Sequence, residues 1–137
     1  MSHWLMKSEP DAFSWSDLVK KGRTMWDGVR SHQAAANMRA MKKGDLAFFY
    51  HSNIGVEVVG IMKVDREFYP DPTDETAKFV VVDLVPVKPL KNPVTLKTIK
   101  TDGGFADMML VTHSRLSVSP VSPAHWARIC EMGGVKP

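Results

Sequence analysis

Three short stretches collect side chains that could do chemistry. "MKSEP" brings Lys7, Ser8 and Glu9 together ahead of Pro10. "WDGVRSHQ" sets Trp26, Arg30, Ser31 and Gln33 around an Asp27-Gly28 turn, with Asn37 following, and "FYHSN" carries Tyr50, His51, Ser52 and Asn53. Trp26 and Tyr50 are of the type that sandwiches a planar ring, a contact worth about 1–3 kcal/mol per base. Ser8, Ser31, Gln33, Asn37, Ser52 and Asn53 offer donors and acceptors that suit a base edge, and Arg30 suits a phosphate or a ring oxygen. Plain structural readings stand beside these. Trp26 and Tyr50 also read as core, His51 as a hydrogen-bonding residue at a strand end, Arg30 and Lys7 as solvated charges, and Asp27 as a turn residue.

Other chemistries lack their residues. The chain contains no "GxGxxG", "GxxxxGK[ST]" or "GxSxG", so nothing supports a phosphate-cradling loop or a nucleophile elbow. Five histidines, His3, His32, His51, His113 and His125, show no ligand spacing. One cysteine, Cys130, can build neither a thiolate zinc site nor an internal disulfide. No metal and no cofactor is expected, and Cys130 reads as a buried, inert thiol. Glu9 with Asp27, or Glu9 with His51, would be the candidate acid/base groups if the chain were an enzyme.

Several elements must position these side chains. "HWLMK" reads as a strand ended by "SEPD", since Pro10 cannot donate to a ladder. "SWSDLVKKG" reads as a helix capped by Ser14, with Asp17 in its first turn and Gly22 past its end. In "SHQAAANMRAMKKG", Ser31 caps a second helix rich in alanine, and Gly44 is the expected stop. The amides of that helix start can meet an acceptor or an anion. "DLAFFYHS" and "VEVVGIMKVDREF", joined by "SNIG", form a hairpin in which alternation puts Phe48 and Tyr50 on one face and Phe49 on the other. "YPDPTDET" is a surface loop, and "KFVVVDLVPVKPL" a long strand with an edge, a bulge or the end of pairing near Pro86. "PVTLKTIKTDGGFADMMLV" holds a helical turn, a Gly-Gly break and a further short element. "RLSVSPV" is a last strand, and "SPAHWARICEMGG" a helix with Ser122 as cap, Pro123 at its first position and Gly133 past its end. Trp4, Trp15 and Trp126 sit among apolar neighbours and read as packing.

Strands with helices inserted irregularly between them define an α+β fold, a mixed β-barrel wrapped by short helices. At 137 residues, one domain over 1–137 with one core is expected. Hydrophobic residues at 44% and charged residues at 24% fit a globular chain and argue against disorder. The longest apolar runs, such as "FVVVDLVPV", fall short of a membrane span, and "MSHWLMKSEP" does not read as a secretory signal. The cytoplasm is the expected compartment. A net charge of +3 leans weakly toward an anionic partner, and the lysines and arginines are too dispersed for an electrostatic clamp.

Taken in order, "HWLMKSEP", "WDGVRSHQAAANMRAMKKGD", "AFFYHSN", "GIMKV" followed by "YPDPT", and "RLSVSPVSPAHW" resemble the EVE domain family over nearly the whole chain. The resemblance implies a PUA-like fold. It also implies a non-catalytic, nucleic-acid-binding module that holds a modified, flipped-out base, such as modified cytosine in DNA or a modified RNA base. It carries base-binding roles onto Lys7, Ser8 and Glu9, onto Trp26, Val29, Arg30 and Ser31, and onto Tyr50, His51 and Ser52. An enzyme acting on a nucleotide or a small modified base is the alternative, and a protein-interaction module a third reading. Oligomeric state is left open.

Overall fold

The computed structural model describes residues 1–137. Six strands form one sheet in the order β2-β5-β4-β3-β1-β6, where β1 is His3–Ser8, β2 Thr24–Met25, β3 Leu46–His51, β4 Glu57–Pro70, β5 Val80–Thr95 and β6 Val118–Val121. Only β1 and β3 run parallel; the other neighbours are antiparallel. The edge strands β2 and β6 do not pair with each other, so the expected barrel is an open mixed sheet. Register shifts punctuate β4 and β5, one of them where Met62 faces Pro86. Of the edge, bulge or end of pairing expected near that proline, the structure takes the bulge, because proline cannot supply a ladder donor. β5 runs on to Thr95, through residues expected to lie outside it.

Both faces of the sheet are buried, and strand alternation assigns the side chains. Trp4, Met6, Phe49, Met62, Val64 and Val82 pack on one side with Leu18, Trp26, Val29, Ala34 and Met38. Leu5, Phe48, Tyr50, Val58 and Ile61 pack on the other with Ile99, Phe105, Trp126, Ile129 and Cys130. The first face is covered by α1 (Trp15–Lys21) and α2 (His32–Ala40), the second by α3 (Leu96–Asp102), α4 (Met109–Thr112) and α5 (Pro123–Met132).

The helices begin where cap chemistry places them. Ser14 accepts from the Asp17 amide while Asp17 accepts from the Ser14 amide, a reciprocal capping box. Gly22 closes α1 in the left-handed region at φ 78°, which a Cβ would disfavour. Ser31, Thr95 and Ser122 cap α2, α3 and α5 through their hydroxyls. In α5 the buried residues Trp126, Ile129 and Cys130 follow the i, i+3, i+4 spacing of one helical face.

Two expectations are corrected. α2 ends at Ala40, where Met41 turns extended; Gly44 lies in the following turn, its N–H donating to the Val64 carbonyl. The "YPDPTDET" loop is not wholly superficial: Tyr69 and Pro70 finish β4, and Asp71 is buried.

Candidate functional site

Parallel pairing of β1 with β3 sets Lys7 beside Tyr50 and Ser8 beside His51. The ends of the first and third polar stretches therefore lie side by side, and the Ser52 amide donates to the Ser8 carbonyl at 2.9 Å. The second stretch arrives from β2, whose antiparallel pairing with β5 is continued by the Trp26 amide donating to the Val82 carbonyl.

Between them opens a cleft of about 450 Å³ lined by Lys7, Ser8, Glu9, Phe13, Trp26 and Asp27, with Ala12, Lys21, Thr24 and Met25 completing its wall. A cavity of a few hundred cubic ångströms with a few polar groups on an apolar wall is the usual form of a small-ligand site. The carboxylates of Glu9 and Asp27 are exposed at this wall, free to accept from a ligand. Ser8 has its hydroxyl turned to the Phe13 carbonyl at 2.5 Å, which fixes the loop that carries Phe13. Lys7 donates through Nζ to the Ser114 carbonyl at 2.9 Å and lies 5.9 Å from the Tyr50 ring centroid. Burial draws its ammonium below the ordinary lysine range.

Trp26 is 8% exposed and packs edge-on against Phe49, centroids 5.5 Å apart. It is a core residue with one edge in the cleft. Tyr50 is 2% exposed and belongs to the opposite face of the sheet, so Trp26 and Tyr50 do not form a sandwich. Strand alternation separates them, and burial pushes the Tyr50 hydroxyl up to about 12.

Phe13, half-buried and 6.3 Å from Phe49, is the aromatic ring that accompanies Trp26 instead. It was not singled out from the sequence. Its position next to the cap residue Ser14 was the available signal, since an apolar residue before a helix cap packs back onto the fold.

The remaining candidates are distributed. His51 accepts at Nε2 from the Trp15 amide, 3.1 Å away. This satisfies a free amide of α1 and occupies the nitrogen that a general base would use. Burial holds its imidazole below the ordinary range, partly opposed by Glu57. Asn37 donates to the Val118 carbonyl at 2.7 Å and so ties α2 to β6. Asn53, at φ 68°, shapes the β3–β4 turn. Val29 is core.

Arg30 is fastened by the loop after β4: Asp71 accepts from its guanidinium at 2.9 Å and Thr73 at 3.1 Å. Asp71 also accepts from the amides of Gly28 and Thr73, a reach that Gly28 permits by taking φ 80°. Burial alone would raise the Asp71 carboxyl. The hydrogen bonds from Thr73, Arg30 and the two amides outweigh it and hold the group at about 2.

Ser31 and Gln33 line a second hollow of about 330 Å³ with His113, Ser114, Arg115 and Leu116. His113 and Ser114 were given no role from the sequence, and Arg115 was read as the start of the last strand, which begins only at Val118. No group of three or more His, Cys, Asp or Glu side chains is arranged to hold a metal ion, and no helix is long and apolar enough to cross a membrane.

An open mixed sheet with helices over both faces and a polar-rimmed cleft at its strand ends defines a PUA-like α+β domain. Residues 2–132 match the EVE domain, and the chain belongs to the EVE domain family. It is 37% identical to human thymocyte nuclear protein 1 over 88% of this chain and 69% of that one. Among solved structures, a Rhodopseudomonas palustris protein is 52% identical with TM-score 0.92, covering 98% of this chain and 94% of that one. The human THYN1 protein in complex with 5-methylcytosine-containing DNA is 34% identical with TM-score 0.90, and the match covers the whole of both chains.

Proposed function

We propose that this chain is a non-catalytic module that binds DNA carrying a modified base, cytosine altered at its 5 position being the first candidate, with the base flipped into the cleft between Glu9, Phe13 and Trp26. The observation that carries the reading is the make-up of that cleft: an apolar wall from Phe13 and the Trp26 edge, faced by unpaired carboxylates of Glu9 and Asp27. A carboxylate is the natural acceptor for the exocyclic amine of cytosine, and the aromatic wall offers a dry seat for a 5-methyl group. Support also comes from the human relative, whose structure holds 5-methylcytosine DNA. Binding is favoured over turnover because His51, the best candidate base, spends its Nε2 on the Trp15 amide.

Burying one methyl group is worth about 0.8 kcal/mol, and a tenfold preference about 1.4 kcal/mol. Fluorescence polarisation with matched single- and double-stranded DNA and RNA oligonucleotides, bearing cytosine, 5-methylcytosine or 5-hydroxymethylcytosine, therefore has a defined expectation. One modified DNA binds about 4- to 10-fold more tightly than its unmodified form, and Trp26→Ala and Glu9→Gln each reduce that preference. Equal binding of all forms, or a preference untouched by both substitutions, would overturn the proposal.

A further inference from the structure

The hollow formed by Ser31, Gln33, His113, Ser114, Arg115 and Leu116 adjoins the base cleft through one residue. Lys7 lines the cleft and donates through Nζ to the carbonyl of Ser114, at the rim of the hollow. The two cavities differ in charge. The cleft balances the carboxylates of Glu9 and Asp27 against Lys7 and Lys21, whereas the hollow has no carboxylate in its lining and contains the Arg115 guanidinium.

Arg115 also differs from the other arginines. Arg23, Arg30 and Arg128 are held by aspartates, Arg39 donates to the Lys78 carbonyl, and Arg66 lies over the Tyr69 ring at 3.8 Å. Arg115 is exposed and has no protein partner of these kinds. An unpaired guanidinium in a hollow without acids, beside exposed His113, Ser114, Ser31 and Gln33, suits a phosphate, whose oxygens accept the planar fork of donors that arginine presents.

We propose that this hollow takes a backbone phosphate of the strand whose base enters the cleft, with Arg115 as its principal contact. The inference rests on the base-binding reading above. It divides the labour between the two cavities: the aromatic one, with its carboxylate acceptors, discriminates between bases, and the basic one positions the strand without reading sequence.

Salt dependence separates the two roles. In polarisation titrations across a range of salt concentrations, Arg115→Gln is expected to weaken modified and unmodified oligonucleotides alike, by about 10-fold at low salt. It lowers the slope of log affinity against log salt by about one, and Arg115→Lys retains that slope. A scan of single uncharged methylphosphonate linkages around the modified base should find one position that weakens the wild-type protein and leaves Arg115→Gln nearly unaffected. An unchanged slope in Arg115→Gln, or linkages that weaken variant and wild type equally, would overturn the phosphate site. A wild-type protein with no modified-base preference would instead overturn the base reading, and the slope comparison would still decide the role of the hollow.

Discussion

The two faces of the sheet are held by different means. On the α3–α5 side, Trp126 stacks on Phe48 with centroids 3.8 Å apart, and Ile129 and Cys130 are fully buried. Its centre is held by apolar contact, a hollow opening only at its margin beside Val56 and Leu96, and burial pushes the Cys130 thiol up to about 11. On the α1–α2 side, the apolar layer is bordered by long-range polar ties. Arg30 and the Gly28 amide meet Asp71, Asn37 of α2 donates to the Val118 carbonyl, and Arg39 of α2 donates to the Lys78 carbonyl. The cleft opens on this second side. Apolar packing is non-directional and maximises burial, whereas hydrogen-bonded loops hold specific positions and leave a cavity unfilled. Stability and the proposed binding thereby fall to different faces.

Breaking the apolar face should have the largest effect. Trp126→Ala removes a ring stacked on Phe48 and is expected to cost about 3–5 kcal/mol, read as a lowered urea midpoint. The fraction that remains folded should keep its oligonucleotide preference, because the ring lies on the opposite face from the cleft. Parallel loss of preference and stability would show that the faces are not independent.

Breaking the polar ties comes next. Asp71→Asn keeps the shape but removes the charge that receives Arg30 and two amides, at an expected cost of about 2–3 kcal/mol. The pH dependence has a definite sign. A carboxyl held at about 2 in the folded chain, against about 4 when unfolded, stabilises the fold fully above about pH 5 and progressively less as pH falls toward 2. The stability gap between wild type and Asp71→Asn, measured by denaturant titration, should narrow over that interval. A gap that widened on acidification would contradict the arrangement.

Gly60 sharpens the contrast from the backbone. A Cβ there would sit 2.6 Å from the Trp15 ring, so Gly60→Ala must displace that ring, at about 1–3 kcal/mol. The displacement should also disturb the contact between the Trp15 amide and His51, visible as a raised His51 titration midpoint by NMR. The smallest effect is expected at the helix end. Ser14→Ala loses one half of the capping box, about 1 kcal/mol, and should lower the melting temperature with little change in affinity.

Local features were legible because their causes lie within a few residues. The caps at Ser14, Ser31 and Ser122, the turn through "SNIG", the bulge at Pro86 and the opposite facing of Phe48 and Phe49 all follow from hydroxyls, φ preferences and alternation. Part of the cleft was also visible: Lys7, Ser8, Glu9 and Trp26 are four of the ten residues that line one cavity. Gly44 was misplaced because a glycine near a helix end fits both a cap and the turn beyond it. β2 was missed because two residues are too short for any periodicity.

The sequence by itself determined the α+β character, the boundaries of α1, α2 and α5 within a turn, and the composition of the polar stretches, since each depends on neighbours along the chain. Only the tertiary structure decided that Tyr50 faces away from Trp26, that Phe13 takes its place, and that Asp71 clamps Arg30 across 41 positions while Lys7 reaches Ser114 across 107. Those outcomes depend on sheet order and on which face each helix covers. Local propensity does not encode either, because contacts between segments far apart in the chain exist only after the sheet has brought them together.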